Sequence, residues 1–251
     1  MSKRTLLTGA ALVGVAYTVP WALVPWVQRQ FPPEFEFREL SDPVGFRMFR
    51  AGAINSGGLP FLGLDGETGP SPFAKRGPAL CQALFGTAAP VEGTVPVASF
   101  SDYRCPFCRV LTEYLAEIAE KDPSVTVEWH ELPLLGPTSV AAARGALAAK
   151  RQGGYLAFHR RLMRSSVVAT PDYLSDLAAS AGLDPVQLVA DARSEDIDQE
   201  LVEALSLGQL FGFIGTPALV IGRTAVLGQI DRTTLLQLID LERREGPVPC
   251  A

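Results

Sequence analysis

The chain has 251 residues, 47% hydrophobic and 20% charged, with 22 basic and 27 acidic side chains. That length supplies one or two domains with a real core, and 13 phenylalanines exclude a mostly disordered chain. A net charge of −5 lacks the basic surplus of a nucleic-acid binder, and four cysteines are too few to build a disulfide scaffold.

The first predicted element is a leader. Residues 1–30 hold Lys3, Arg4 and Arg29 and no acid, so the remaining 221 residues carry a net −8. The 24 residues from Thr5 to Gln28 bear no formal charge. A short basic start ahead of an apolar run is the pattern of an export segment. The run exceeds the apolar region of a cleaved signal, about 7–15 residues, and its second half (Pro20, Trp21, Pro25, Trp26) offers no small-x-small cleavage site. A membrane span needs roughly 20 apolar residues, and Trp21 and Trp26 suit an interfacial aromatic belt. An uncleaved N-terminal anchor is therefore the first reading of residues 1–30 and a cleaved signal the second. Pro20 and Pro25 count against a buried soluble helix. Either reading leaves the rest of the chain in an oxidising space, where disulfide chemistry is permitted.

Residues 31–93 are rich in Gly and Pro and read as an extension with a short hairpin or loops. Phe35, Phe37 and Leu40 hint at one strand, Phe46, Met48 and Ile54 at another, and Pro78 to Phe85 at a short helix carrying Cys81. Val95 to Phe100 is an apolar run that predicts a buried strand. Pro106 suits a first helical turn, because that N–H has no partner there. Phe107, Val110, Leu111, Tyr114, Leu115 and Ile118 then recur at helical spacing. Ser124 to His130 alternates as a second strand, so strand, helix, strand predicts a parallel pair with a crossover. Residues 137–210 read as helices alone. Within them Tyr155, Phe158, His159 and Leu162 form a core stripe, and Arg160, Arg161 and Arg164 a solvated face. Ala218–Ile221 and Ala225–Leu227 flank Gly222-Arg223-Thr224, a hairpin signal, and Asp231 caps a last helix. This order is an α/β fold interrupted by an all-helical insertion.

Cys105-Pro106-Phe107-Cys108 falls where the first of these strands meets its helix. Such spacing serves a redox pair, a metal site or a plain structural disulfide. Haem attachment needs His after the second cysteine, and Arg109 stands there. Zinc needs further paired ligands, whereas His130, His159, Cys81 and Cys250 are isolated in the sequence, so no metal site is read. At a helix N-terminus the unpaired N–H groups and the positive dipole end favour a thiolate at Cys105, and Arg104 and Arg109 add nearby charge. A low thiol pKa makes Cys105 a good leaving group, with Cys108, one turn deeper, as its resolving partner. Gly215-Thr216-Pro217 opens a later strand, where the proline fits either a cis bond or an ordinary turn.

Phe100-Ser-Asp-Tyr-Arg-Cys-Pro-Phe-Cys108 and, a helical block later, Gly215-Thr-Pro-Ala218 resemble the DsbA-like thiol:disulfide oxidoreductases. The likeness is greatest to their exported or membrane-linked bacterial branch and spans residues 94–245. It implies a thioredoxin-like fold with an inserted all-helical domain. Residues 94–136 and 212–246 would form the thioredoxin-like domain, 137–211 the insertion and 247–251 a tail. It also implies that Cys105 is the exposed sulfur and that Thr216-Pro217 is a cis bond beside it. The Thr216 backbone would then pair with an extended substrate segment, as an added strand.

Two departures bear on mechanism. The position six before Cys105, often acidic in the family, is Ser99, which leaves Glu131, Glu128 or water to relay protons. The plainer reading of both glutamates is an exposed strand carboxylate. Phe107 stands where the strongest oxidants carry His, which implies a less oxidising potential. Pro106, Asp102 and Arg104 are candidates for tuning Cys105, and Asp102 reads equally as a turn former. Cys81 and Cys250, outside the matched core, are expected to form a structural disulfide, although Cys81 also reads as a small buried hydrophobe.

The resemblance implies dithiol–disulfide exchange on exported proteins, first as an oxidant reoxidised by a membrane partner, with no cofactor and no nucleic acid. It places the chain on the periplasmic side of a bacterial inner membrane, anchored or, if cleaved, free. The alternatives are a reductase or isomerase fed by a membrane electron donor, a client-binding chaperone-like protein, and a glutathione-using transferase of the same fold. The last usually lacks an intact C-x-x-C and an export leader.

Overall fold

Six strands form one mixed sheet in the computed structural model, which describes residues 35–57, 77–87, 90–246 and 248. The leader expected over residues 1–30 lies outside these residues. Among the described residues no helix is long and apolar enough to cross a membrane.

In chain order the elements are β1 (Arg38–Glu39), β2 (Arg47–Arg50), α1 (Pro78–Phe85), β3 (Val95–Ser101), α2 (Pro106–Lys121) and β4 (Val125–Glu131). Five helices follow: α3 (Pro137–Arg151), α4 (Tyr155–Arg164), α5 (Pro171–Ser180), α6 (Pro185–Asp191) and α7 (Glu195–Leu210). The chain returns to the sheet with β5 (Ala218–Ile221) and β6 (Thr224–Leu227) and ends in α8 (Arg232–Glu245). The strand order is β1-β2-β6-β5-β3-β4. β3 and β4 run parallel, joined through α2, while β5 is antiparallel to both β3 and β6.

The sequence accounts for these boundaries. β3, β5 and β6 are buried at every position, as near-continuous apolar runs require when a sheet is covered on both faces. Pro sits in the first turn of α2, α3, α5 and α6. Thr170, Asp184 and Asp231 cap α5, α6 and α8 by accepting backbone N–H bonds.

The short hairpin expected in the extension forms, β1 antiparallel to β2, but it also joins the sheet. β2 pairs in parallel with β6, from Arg47 opposite Thr224 to Arg50 opposite Leu227. The described residues from Phe37 onward belong to one compact unit with the central strands. β6 would otherwise present an unpaired edge, and β2 covers it. A buried polar clamp fixes the junction: Glu242 accepts from Arg47 Nη2 at 2.7 Å and from Thr224 Oγ1 at 2.6 Å. Phe46 adds an edge-to-face contact with Phe211 at 5.2 Å.

Two cores result. One lies between the sheet and α1, with Phe46, Leu84, Phe100, Leu132 and Phe211 at its centre. The other fills the helical block around Ala146, Phe158, Met163, Leu188 and Ile197, and Cys105 and Cys108 belong to it. The stripe Tyr155, Phe158, His159 and Leu162 packs inward as read. The arginine face of α4 stays solvent-exposed at Arg161 and Arg164, as read, and also carries ion pairs. Arg160 and Arg164 both pair with Glu113 on α2, because α4 lies against α2 and brings the lone carboxylate within reach of both.

Candidate active site

Cys105 is the N-cap of α2, and its sulfur accepts the Cys108 backbone N–H at 3.4 Å. Both thiols are free in this structure. The environment separates them. The Cys105 thiol is drawn down to about 7, first by a hydrogen bond from the Cys108 thiol and, against the opposing effect of burial, by Thr216 and the N–H groups of Cys108 and Phe107. The Cys108 thiol is pushed well above its ordinary value, first by burial and then by Cys105 itself. No arginine is among the leading causes. Arg104 reaches outward to the Thr138 hydroxyl at 2.8 Å, and Arg109 keeps a buried Nε without a hydrogen bond.

The Thr216–Pro217 bond is cis, and Thr216 abuts the dithiol, its carbonyl oxygen 3.4 Å from the Cys105 sulfur. The Thr216 hydroxyl is buried and has no hydrogen-bond partner. Cys105 departs from expectation in one respect: its relative exposure is 0%, where an exposed sulfur was expected. The turn from Asp102 to Cys105 is flanked by Thr216 on one side and the Leu134–Leu135 backbone on the other, and the segment Ile54–Gly57 runs between those flanks. Both backbone groups of Thr216, expected to receive a substrate strand, are bonded to Asn55.

Asp102 is buried and holds the turn in place. Its carboxylate accepts from Arg104 N at 2.8 Å, Ser139 Oγ at 2.7 Å and Leu135 N at 2.9 Å. Burial raises its pKa, these bonds oppose that, and the charge of Glu131 adds to the rise. Pro106 opens α2, and Phe107 is half-buried against the helical core.

Glu131 is not the exposed strand carboxylate of the plainer reading. It is 1% exposed, because α4 closes over the end of β4. Its Oε1 accepts from the Tyr103 and Tyr155 hydroxyls, both at 2.6 Å, and lies 3.4 Å from His159 Nδ1, while its Oε2 has no partner. His159 Nε2 lies 3.4 Å from the Thr112 hydroxyl on α2. Burial, then the Glu131 charge, holds both tyrosines well above the usual phenol range, so they act as neutral donors. Neither sulfur is among the Glu131 partners. Glu128 faces outward to Lys150 at 3.3 Å, and Ser99 is a buried β3 residue opposite Trp129 and Leu219.

A cleft of about 200 Å³ opens beside the turn, lined by Tyr103, Arg104, Arg109, Ala142, Val167 and Val168. Cys81 is buried and disulfide-bonded; its expected partner, Cys250, lies outside the described residues. Sequence reasoning missed Asn55, Tyr103, Ser139 and the site role of Thr112. Only Tyr103, two residues before Cys105, carried any signal, and that was proximity alone.

A dithiol on a helix N-cap, beside a cis-proline loop at the end of a parallel β-α-β unit, defines a thioredoxin-fold thiol–disulfide oxidoreductase domain. More narrowly, the chain belongs to the family of the DSBA-like thioredoxin domain, which matches residues 96–240.

A thioredoxin-like oxidoreductase from Silicibacter pomeroyi superposes with a TM-score of 0.59 at 36% identity, covering 65% of this chain and 97% of that one. A periplasmic thioredoxin-like protein from Salmonella enterica serovar Typhimurium gives a TM-score of 0.57 at 33% identity, covering 66% of this chain and 96% of that one. The chain is also 29% identical over 128 residues, 49% of its length, to a Salinispora tropica protein named Na(+)/H(+) antiporter NhaA 3. It spans only 20% of that curated relative, whose name describes the whole protein.

Proposed function

We propose that the protein exchanges disulfides with exported polypeptides and acts as an oxidant, with Cys105 as the attacked and released sulfur and Cys108 as the resolving one. The observation that carries this reading is the split between the thiols: Cys105 is drawn down to about 7 while Cys108 is pushed well up. In the oxidised enzyme a substrate thiolate attacks Cys105 Sγ, the Cys105–Cys108 bond breaks, and Cys108 leaves and takes up a proton. A second substrate thiolate attacks the substrate sulfur of the mixed disulfide, and Cys105 departs as a thiolate. Two electrons pass from the substrate dithiol to the enzyme pair. A thiolate stable near neutral pH is a good leaving group and stabilises the reduced enzyme relative to an unperturbed dithiol; thioredoxin, a reductant, shares a value of about 7, so the reduction potential decides the direction.

In this reading Thr216 steadies the departing thiolate with its otherwise unpartnered hydroxyl, and Pro217 shapes the loop that carries it. Asp102 fixes the turn, and Glu131 supports it through Tyr103. The Phe107 side chain, unlike its backbone N–H, offers the thiolate neither charge nor a hydrogen bond, which moderates the potential. Residues 1–30 export the domain and hold it to the periplasmic face of the inner membrane, where a membrane redox partner reoxidises the pair. Cys105 and Cys108 are free and Cys81 is bonded, so Cys250 is the remaining candidate to close a structural disulfide.

The test is the reduction potential of the Cys105–Cys108 pair, measured in glutathione buffers. An oxidant requires a value above roughly −200 mV, and a value near about −270 mV would reverse the direction. Replacing Cys105 with Ser should abolish exchange with a reduced, unfolded client; retained exchange would refute its role.

A further inference from the structure

The edge where a substrate strand would add is already filled by the chain itself. Asn55 N donates to the Thr216 carbonyl at 2.8 Å and Thr216 N donates to the Asn55 carbonyl at 3.0 Å, an antiparallel bridge. The same Thr216 carbonyl stands 3.4 Å from the Cys105 sulfur. A Cβ at Gly215 would lie 2.9 Å from the Asn55 carbonyl oxygen and 3.3 Å from Ile54 Cβ, so the segment rests directly on the cis-proline loop. Two residues on, Gly57 lies so close to the Leu134 carbonyl that a side chain there would collide with it. Thr216 precedes β5 and Leu134 follows β4, and β5 and β4 are the two neighbours of β3. The segment Ile54–Gly57 therefore crosses the sheet end above the turn that carries Cys105.

Its root is firmly held. β2 is paired to β6, Ala51 N donates to Leu227 O at 2.9 Å, and Gln229 N donates to Ala53 O at 2.8 Å. Beyond Ala53, among the described residues, the two bonds to Thr216 are its backbone hold. A strand fixed at its root and held beyond it, among the described residues, by one bridge and the packing of Ile54 on the core is suited to local opening.

We propose that Ile54–Gly57 is a built-in occupant of the substrate strand's place, and that Asn55 selects which thiols reach Cys105. An extended polypeptide replaces both Thr216 bonds as it displaces Asn55, so the exchange of partners is nearly neutral. A small thiol replaces neither and must wait for spontaneous opening. The inference rests on the reading that Cys105 is the exchanging sulfur.

The test uses the full chain carrying Cys108→Ser and an extended cysteine peptide presented as its mixed disulfide with thionitrobenzoate. The Cys105 thiolate attacks the peptide sulfur, thionitrobenzoate leaves, and the peptide remains on Cys105. Amide hydrogen exchange is then expected to show Asn55 losing its protection in the adduct. Separately, Asn55→Pro, which lacks the donor, and Gly57→Ala, which strikes the Leu134 carbonyl, should each speed alkylation of Cys105 by iodoacetamide about tenfold, and peptide exchange less. An Asn55 amide still protected in the adduct overturns the inference, as does alkylation at the unsubstituted rate in both variants. Should both variants misfold, the adduct measurement decides alone, since it leaves Ile54–Gly57 unsubstituted. If no adduct forms at Cys105, the functional reading falls and takes this inference with it.

Discussion

Two sulfurs one helical turn apart differ because one is a cap and the other is buried beneath it. Cys105 meets N–H donors at the start of α2, and Cys108 meets apolar side chains. With Cys105 at about 7, its alkylation rate should climb tenfold per pH unit below that point and level off above it, while Cys108 stays silent through the same range. Mass-resolved alkylation from pH 5 to 10 reads both curves, and a common midpoint would contradict the split. The Thr216 hydroxyl is one of the groups that hold Cys105 down, and it is spent on nothing else. Thr216→Val should therefore move the Cys105 midpoint upward by about one unit, the scale of one hydrogen bond to a charged group. That the cysteines stand beside Thr216 and Pro217 was legible because both motifs are marked by side chains, a Cys-x-x-Cys and a proline opening a strand. Asn55 was not, because what it contributes at Thr216 is a main-chain N–H and C=O, which every residue but proline carries.

At the scale of elements, the helical block is joined to the sheet by polar groups that a strand pattern does not reveal. Glu131 ends β4, Tyr103 follows β3, Tyr155 and His159 lie on α4 and Thr112 on α2, and one carboxylate oxygen and one imidazole draw them together. In sequence Glu131 looks like the polar half of an alternation; only the placement of α4 buries it. Glu131→Ala leaves two tyrosine hydroxyls without their acceptor in an apolar surround, so it should cost about 3 kcal/mol of unfolding free energy. Glu131→Gln keeps an acceptor and should cost clearly less. Denaturant titration of the two variants compares them, and equal losses would mean that the joint is held by packing rather than by these bonds. Apart from the two short strands of the extension and the start of α3, the strands and helices were readable to within a residue or two, since apolar period and proline placement decide them locally. The partnership of β2 with β6 was not, because it depends on which sheet edge lies open after the rest has folded.

For the molecule as a whole, the same thiol chemistry couples redox state to stability. The oxidised protein has no Cys105 or Cys108 thiol to titrate, so the reduced form alone gains from the shift at Cys105. Its pKa is about 7 in the fold against 9.0 in an unfolded chain. A depressed pKa stabilises the fold in full above the unfolded value, and the gain is lost as pH falls through the folded one. Cys108 works in the opposite sense: its raised pKa costs stability only above the unfolded value, where an unfolded Cys108 ionises and the folded one does not. The reduced form should therefore gain on the oxidised form from pH 7 up to about 9, by about 2 kcal/mol at most, and gain nothing further beyond that. Paired thermal or denaturant unfolding of the two forms, with the Cys81 disulfide kept intact, measures the difference directly. A difference independent of pH across that window would show that the Cys105 thiolate is not what separates the two forms, and with it would go the physical basis for Cys105 as the leaving sulfur.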